Sequence, residues 1–139
     1  MKIQYVSIEW VHRTWPLAEP YIADALSHSK GEYTVENAKS LVTQGQWILI
    51  VAVDEENTVH GAATMYFFNR PDNRVAFITA MGGRLVSSED TFEQLKAYAA
   101  SMGATAIEGT ARESTARLWS RYGFEEKYRI VGVKSVSYT

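Results

Sequence analysis

Residues 74–103 constrain the fold more than any other part of this 139-residue chain. The continuous apolar run at residues 75–81 predicts a buried strand, and Gly82 and Gly83 break it. A helix is expected from about Ser88. Unpaired backbone N–H groups and the helix dipole converge where a strand leads into a helix through a glycine turn. The sequence therefore predicts an anion-binding junction at the centre of the fold.

Length and composition predict one globular domain over residues 1–139. A chain of this size can bury a core without disulfides or metals, and a hydrophobic content of 46% with 22% charged residues argues against intrinsic disorder. The net charge is -2, so no general nucleic-acid binding is expected.

Cysteine, histidine and hydropathy exclude several other classes. There is no cysteine, which excludes disulfides and thiolate chemistry, and the three histidines are far apart, so no metal site is expected. The N-terminus lacks the apolar core of a signal peptide, and no run approaches the ~20 apolar residues of a membrane span. We expect no membrane association and a cytoplasmic location.

Upstream of residue 74, the apolar spacing predicts two helices between strands. A first strand is expected at residues 2–8. A first helix begins near Pro16, ends near Ser29 and has Leu17, Tyr21, Ala25 and His28 on one side. A second helix is capped by Thr34 and stopped by Gly45. The remaining elements are a hairpin of strands at residues 47–53 and 59–68, followed by a turn at residues 69–73 whose flanking Arg70 and Arg74 are expected in solvent.

Downstream of Ser88, the pattern is helix, strand, helix, strand. The first helix is expected to bury Phe92, Leu95, Ala99 and Met102. A strand at 104–109 then implies a right-handed parallel crossover, and a helix at 114–122 precedes a closing strand at 127–136. The sequence thus predicts a mixed α/β fold with a central mixed sheet of about six strands flanked by about four helices.

This order of elements resembles the GNAT superfamily of acyl-CoA-dependent N-acyltransferases. Two segments support the resemblance: ARLWSRYGFEE (116–126) is similar to the family's RLYxxxGF segment, and DEENTVHGAA (54–63) is similar to its second and third strands. Three further segments resemble GNAT-like proteins of tailed bacteriophages, namely WPLAEPY (15–21), YTVENA (33–38) and GGR (82–84).

The resemblance implies acetyl-CoA as the cofactor, held at the junction described above. In the family, glycines in the loop before the central helix let backbone N–H groups approach the pyrophosphate, and the pantetheine arm pairs with the central strand. The loop here lacks the repeated glycines, and Glu89 and Asp90 in the first helical turn would repel phosphate, so the loop is degenerate. The cofactor-binding candidates implied are Ala80, Met81, Gly82, Gly83, Arg84, Ser87 and Ser88. The alternative is that Ser87 or Ser88 is a helix N-cap and that Gly82 and Gly83 form a tight turn.

The resemblance also implies a general base near the central strand and a tyrosine acid on the late helix. The tyrosine position falls on Trp119, whose indole cannot protonate a thiolate. Tyr122 lies three residues later and is the substitute candidate, with a core aromatic as the alternative. No carboxylate occurs at residues 74–81, so Glu108 is the base candidate, with a salt-bridged strand residue as the alternative.

Two functions therefore stay open. The first is acetyl transfer from acetyl-CoA to an amine acceptor. The second is a catalytically silent, phage-encoded GNAT-fold protein with a structural, assembly or partner-binding role, either in the host cytoplasm or in a virion, because a fold does not determine a function.

Overall fold

A computed structural model describes residues 1–29, 31–111 and 113–134. In chain order the strands are β1 (Lys2–Val6), β2 (Ile48–Val53), β3 (Val59–Arg70), β4 (Asn73–Gly83) and β5 (Ala106–Gly109). A 3-10 turn at Ile8–Trp10 precedes the helices, which are α1 (Val11–Ser27), α2 (Val35–Thr43), α3 (Arg84–Ser87), α4 (Glu89–Ser101) and α5 (Glu113–Ser120).

The strands of the described ranges form one mixed sheet in the order β1-β2-β3-β4-β5. The first four strands are antiparallel, and β4 and β5 are parallel. The predicted mixed α/β fold and parallel crossover are confirmed. Within the described ranges the sheet has five strands, whereas about six were expected. The short α3 is an addition to the four predicted helices. The β3–β4 ladder continues to Arg70 and Asn73, so the turn is tighter than the predicted one.

Helices cover both faces of the sheet, which explains the continuous apolar run of β2. Its side chains alternate between two buried clusters. Leu49, Val51 and Val53 pack with α1 and α2, whereas Ile50 and Ala52 pack with α4 and α5.

Helix α1 begins earlier and buries a different face than the sequence predicted. It starts at Val11, so both Pro16 and Pro20 lie inside it. Its fully buried side chains are Val11, Trp15, Ala18, Ile22 and Leu26. Leu17 is 57% exposed, contrary to the prediction. The large side chains of Trp15, Ile22 and Leu26 determine which face of α1 is buried. The prediction instead depended on placing both prolines in the first turn of the helix.

The predicted stripe of α4 is confirmed at three of its four positions. Phe92, Leu95 and Ala99 are buried, but Met102 follows the helix end as its C-cap and is exposed. Gly103, the next residue, has a φ of 86°, a conformation that glycine adopts without strain and that ends the helix as predicted.

The predicted closing strand at 127–136 was wrong over residues 127–134, which form no strand, while residues 135 and 136 lie outside the described ranges. Ile130, Val131 and Val133 are exposed there. An alternating apolar pattern shows that a segment suits a half-buried strand, but it does not supply a paired neighbour.

Glycines allow α1 to cross closely over β4. A Cβ on Gly82 would lie 2.7 Å from the carbonyl oxygen of Tyr21 in α1, and a Cβ on Gly61 of β3 would lie 2.8 Å from the carbonyl oxygen of Gly82. Gly83 has a φ of 65°, and its Cβ would clash with the His60 carbonyl oxygen. The two glycines after the apolar run therefore permit packing of backbone against backbone.

We predict that Gly82→Ala lowers the free energy of unfolding by about 2 kcal/mol, because the added methyl group meets backbone that cannot rotate away. Urea denaturation monitored by circular dichroism measures the change. Gly132→Ala is the matched control, since nothing lies within 4 Å of its Cβ position. Equal stability of the two variants would contradict the close crossing.

Candidate active site

The parallel pairing of β4 with β5 stops halfway along β4. It runs from Val75 opposite Ala106 to Ile78 opposite Gly109, where β5 ends, whereas β4 continues to Gly83. On the other edge of β4, Thr64 faces Ala80 and Met65 faces Ile78, so the strand contains a β-bulge. The outer edge of β4 beyond Ile78 is thus left without a strand partner among the described residues.

The bulge places one extra residue, Thr79, at the point of divergence. Its hydroxyl donates to the carbonyl oxygen of Thr64 at 3.0 Å, and the two threonine Oγ1 atoms are 2.7 Å apart. Thr64 is fully buried. These hydrogen bonds fix the distortion between β3 and β4, so the unpaired edge belongs to the rigid sheet.

A cleft of about 600 Å³ opens where the two strands separate. Of the predicted cofactor-binding residues, five line it and two, Arg84 and Ser88, do not. One wall is formed by Ile78, Thr79, Ala80, Met81, Gly82, Gly83, Val86 and Ser87, and facing segments contribute Thr110, Ala111, Thr115 and Trp119. The end of α1 and the following loop supply Asp24, Ala25, Leu26, His28, Ser29 and Glu32.

The predicted phosphate loop is a short helical turn followed by a capped helix. The Ser88 hydroxyl accepts from the Thr91 N–H at 3.4 Å and caps α4. The Thr91 hydroxyl donates to the Arg84 carbonyl oxygen at 2.5 Å, closing α3 onto α4. Glu89 and Asp90 occupy the first turn of α4. The chain's own hydroxyl and carboxylates therefore complement the positive helix end.

Several solved structures with a similar fold are named as acetyltransferases. A ribosomal-protein-alanine N-acetyltransferase from Brucella melitensis biovar Abortus 2308 is 12% identical with a TM-score of 0.69, over 97% of this chain and 100% of that chain. A predicted acetyltransferase with acetyl-CoA from Clostridium acetobutylicum is 13% identical with a TM-score of 0.64, over 95% of this chain and 94% of that chain. An aminoglycoside acetyltransferase from an uncultured soil metagenomic sample, in complex with sisomicin, is also 13% identical with a TM-score of 0.64, over 98% and 95% respectively.

The chain has a GNAT-like fold. At these identities the likeness establishes the fold alone. The sequence matches no protein-family model and no curated protein sequence.

Glu108, the candidate base on β5 of this GNAT fold, is held by two cations. Arg70 makes a two-pronged ion pair with it, with Nη2 2.9 Å from Oε1 and Nη1 on Oε2, and Lys127 Nζ lies 2.8 Å from Oε2. The hydrogen bonds from Arg70 are the main cause that lowers the pKa of Glu108 to about 2, and Lys127 adds to them although burial opposes both.

These contacts argue against Glu108 as a base, because a carboxylate with so low a pKa accepts protons poorly at neutral pH. Glu108 also does not line the cleft. The catalytic role of Glu108 stays a prediction, and its ion pairs with Arg70 and Lys127 argue against it. The expectation that Arg70 lies in solvent missed this contact, which joins residues 38 positions apart and has no local sequence signal.

Tyr122, the candidate acid, packs against α4 and is not among the residues that line the cleft. Its ring stacks on Phe92 with centroids 4.9 Å apart, and its hydroxyl donates to the Val86 carbonyl oxygen at 3.4 Å. Trp119 lines the cleft and is buried, and its Nε1 has no hydrogen-bond partner among the described residues. Trp119 of α5 thus lies on the cleft wall, whereas Tyr122 follows the helix, which ends at Ser120 and not at 122 as predicted.

Residues 1–29, 31–111 and 113–134 contain neither a membrane-spanning helix nor a cluster that would hold a metal ion. No helix in them is both long and apolar enough to cross a membrane. Nor does any group of three or more histidine, aspartate or glutamate side chains within them have an arrangement that would hold a metal ion.

We predict that Glu108→Gln lowers the free energy of unfolding by about 2 kcal/mol at pH 7. The loss stays below that of a deeply buried pair because Arg70 and Lys127 are partly exposed and regain water. Because the folded pKa is depressed, the carboxylate stabilises the protein above the ordinary value of 4.5, and this contribution disappears as the pH falls towards 2.

Urea denaturation of both proteins between pH 7 and pH 2 measures this. The two stability curves should converge as the pH falls. Glu126→Gln is the control, since its ion pair with Arg129 is exposed and its loss should cost under about 0.5 kcal/mol. A constant difference between wild type and Glu108→Gln down to pH 2 would contradict the assigned contact.

Proposed function

We propose that this protein is an N-acetyltransferase that transfers the acetyl group of acetyl-CoA to an amine. The observation that supports this most is the divergence of β4 from β5 at Ile78 and Gly109, with the bulge at Thr79 beside it. A closed sheet would leave no room at this point. Here the separation leaves a lined cleft and a free strand edge.

The pantetheine arm of acetyl-CoA fits the free edge of β4. Its amides are extended hydrogen-bonding groups, and an extended chain gains most from an unpaired strand edge. Ala80 and Met81 supply such an edge, with small or apolar side chains on the cleft wall. The arm would take the place that a longer β5 would occupy.

The pyrophosphate fits the next segment less well. Gly82 and Gly83 serve the packing of α1, Ser88 caps α4, and two carboxylates follow. In the proposal, Arg84 and Ser87 bind the phosphates, because Arg84 is exposed at the start of α3 and Ser87 lines the cleft. Binding should therefore depend more on the pantetheine arm than on charge.

Tyr122 is the proposed proton donor to the leaving thiolate. Its hydroxyl donates to the carbonyl oxygen of Val86, a residue of the cleft wall, so the phenol proton lies next to a lining residue. A positioned phenol can supply this proton, whereas the Trp119 indole cannot.

An amine acceptor would enter from the α1 side of the cleft, where Asp24 and Glu32 lie. Carboxylates attract ammonium groups. Two of the similar structures are named for amine acceptors, one for the alanine of a ribosomal protein and one for aminoglycosides, which supports an amine without selecting between these classes.

A second candidate is the catalytically silent, phage-encoded GNAT-fold protein that binds a partner. The observation that favours it is the first turn of α4, where Ser88, Glu89 and Asp90 already complement the helix end. The phage assignment depends on the three sequence segments alone. Acetyl-CoA binding separates the candidates.

We predict that wild-type protein binds acetyl-CoA with a Kd on the order of micromolar in isothermal titration calorimetry. Thr115→Trp should weaken binding roughly tenfold or more, because Thr115 lines the cleft and a large ring there fills it. Ala116→Trp is the matched control, since Ala116 is exposed on the same helix outside the cleft. No binding at millimolar acetyl-CoA would exclude the first function.

We also predict that Arg84→Ala weakens acetyl-CoA binding by roughly fivefold at low salt and by less at high salt, since exposed charges are screened. Calorimetry at two salt concentrations measures this. Arg13→Ala is the control, because Arg13 lies over the Trp10 ring and away from the cleft. An unchanged Kd for Arg84→Ala would remove Arg84 from the proposed site.

A further inference from the structure

The proton-accepting side chains of the cleft lie on one wall. Among the described lining residues, the titratable ones are Asp24, His28 and Glu32, all at the end of α1 or in the loop after it. The β4 wall offers only apolar, glycine and hydroxyl residues. A base that acts directly in the cleft must therefore come from the α1 wall.

His28 has the chemistry and the position for this task. It is the C-cap of α1, where its backbone N–H binds the Ala25 carbonyl oxygen at 3.3 Å, so the chain holds it at the helix end. Imidazole is the side chain type that gains and loses a proton near neutral pH. The His28 side chain is 39% exposed and lines the cleft.

Asp24 lies one helical turn before His28 and faces it. Its Oδ1 is 3.9 Å from His28 Nε2, within ion-pair range. Such a carboxylate stabilises an imidazolium after the ring takes a proton. Glu32 is the other charged side chain on this wall.

We propose that His28 is the general base of the acetyl transfer and that Asp24 positions and stabilises it. This inference rests on the proposed function. His28 takes one proton from the acceptor ammonium, which leaves a neutral amine. The amine nitrogen then bonds to the thioester carbonyl carbon, and the carbon–sulfur bond breaks. Tyr122 gives its proton to the thiolate and takes up the second nitrogen proton, so the products are an amide, free CoA thiol and one proton on His28.

The arrangement also explains why Glu108 need not act. Glu108 is engaged by Arg70 and Lys127 at the far side of β5, whereas His28 and Asp24 share the cleft with Ala80 and Met81. The sequence analysis placed His28 on the same side of the first helix as Leu17, Tyr21 and Ala25. That His28 lines the cleft is visible only in the folded structure.

Nuclear magnetic resonance tests the proximity without an acceptor. The chain has three histidines, and each ring signal can be assigned from its glutamine variant. Acetyl-CoA should shift the His28 ring signal and leave that of His12, which is exposed outside the cleft, unchanged. In Asp24→Asn, kcat should fall while KM for acetyl-CoA stays unchanged.

The outcomes distinguish the two proposals. If calorimetry shows acetyl-CoA binding but the His28 signal does not move, the role of His28 is overturned and the proposed function stands. If acetyl-CoA does not bind, both fail. A wild-type kcat in Asp24→Asn would overturn the role of Asp24.

Kinetics test the chemical role, with thiol release from acetyl-CoA measured in the presence of sisomicin or an alanine-initiated peptide. His28→Gln should lower kcat about 100-fold, leave KM for acetyl-CoA unchanged and abolish the fall in rate at acidic pH. His12→Gln should retain the wild-type rate. A His28→Gln variant with the wild-type kcat and pH profile would overturn the proposal.

Discussion

The candidate site depends on the premature end of one pair of strands. Parallel pairing between β4 and β5 stops at Ile78 and Gly109. A Cβ on Gly109 would lie 3.2 Å from the Ile78 carbonyl oxygen and 3.3 Å from the Trp119 ring, so the junction is tightly packed up to the point where the strands separate. Beyond it, the bulge at Thr79 turns β4 while the hydroxyl pair with Thr64 keeps it attached to β3. A rigid sheet thus presents an unpaired edge.

The remaining elements support that edge from both sides. Helix α1 crosses β4 so closely that Gly82 must lack a side chain, and this crossing delivers the end of α1, with Asp24 and His28, to the cleft. On the other face, α4 packs against the segment that follows α5 through aromatic contacts of Phe92 with Tyr122 and Phe124. Gly82 therefore permits the close packing of α1 on β4, and the same packing positions the end of α1 at the cleft.

Much of the fold was predictable because its signals are local. The β2 run, the Thr34 capping box, the α4 stripe and the Gly103 stop all depend on residues close in sequence. The failures are nonlocal. The burial of Leu17 and Met102 was wrong because core contacts select the buried face, and the strand at 127–134 lacks the partner that its pattern cannot supply.

The candidate site followed the same division. The sequence identified the segment 80–88, since a strand, glycines and a helix are visible in order. It missed Arg70 and gave His28 no catalytic role, because an ion pair across 38 residues and a cleft between α1 and β4 exist only after folding. It assigned Gly82 and Gly83 to a ligand, whereas their backbone contacts are with α1 and β3.

Hydrogen–deuterium exchange of β4 tests the central claim most directly. Residues 75–78 of β4 are paired with β5. The same edge of β4 at residues 79–83 has no strand partner among the described residues. We expect acetyl-CoA to slow exchange in residues 79–83 and to leave residues 75–78 unchanged. Binding of acetyl-CoA with no added protection at residues 79–83 would show that the free edge of β4 is not the site, and would contradict the account.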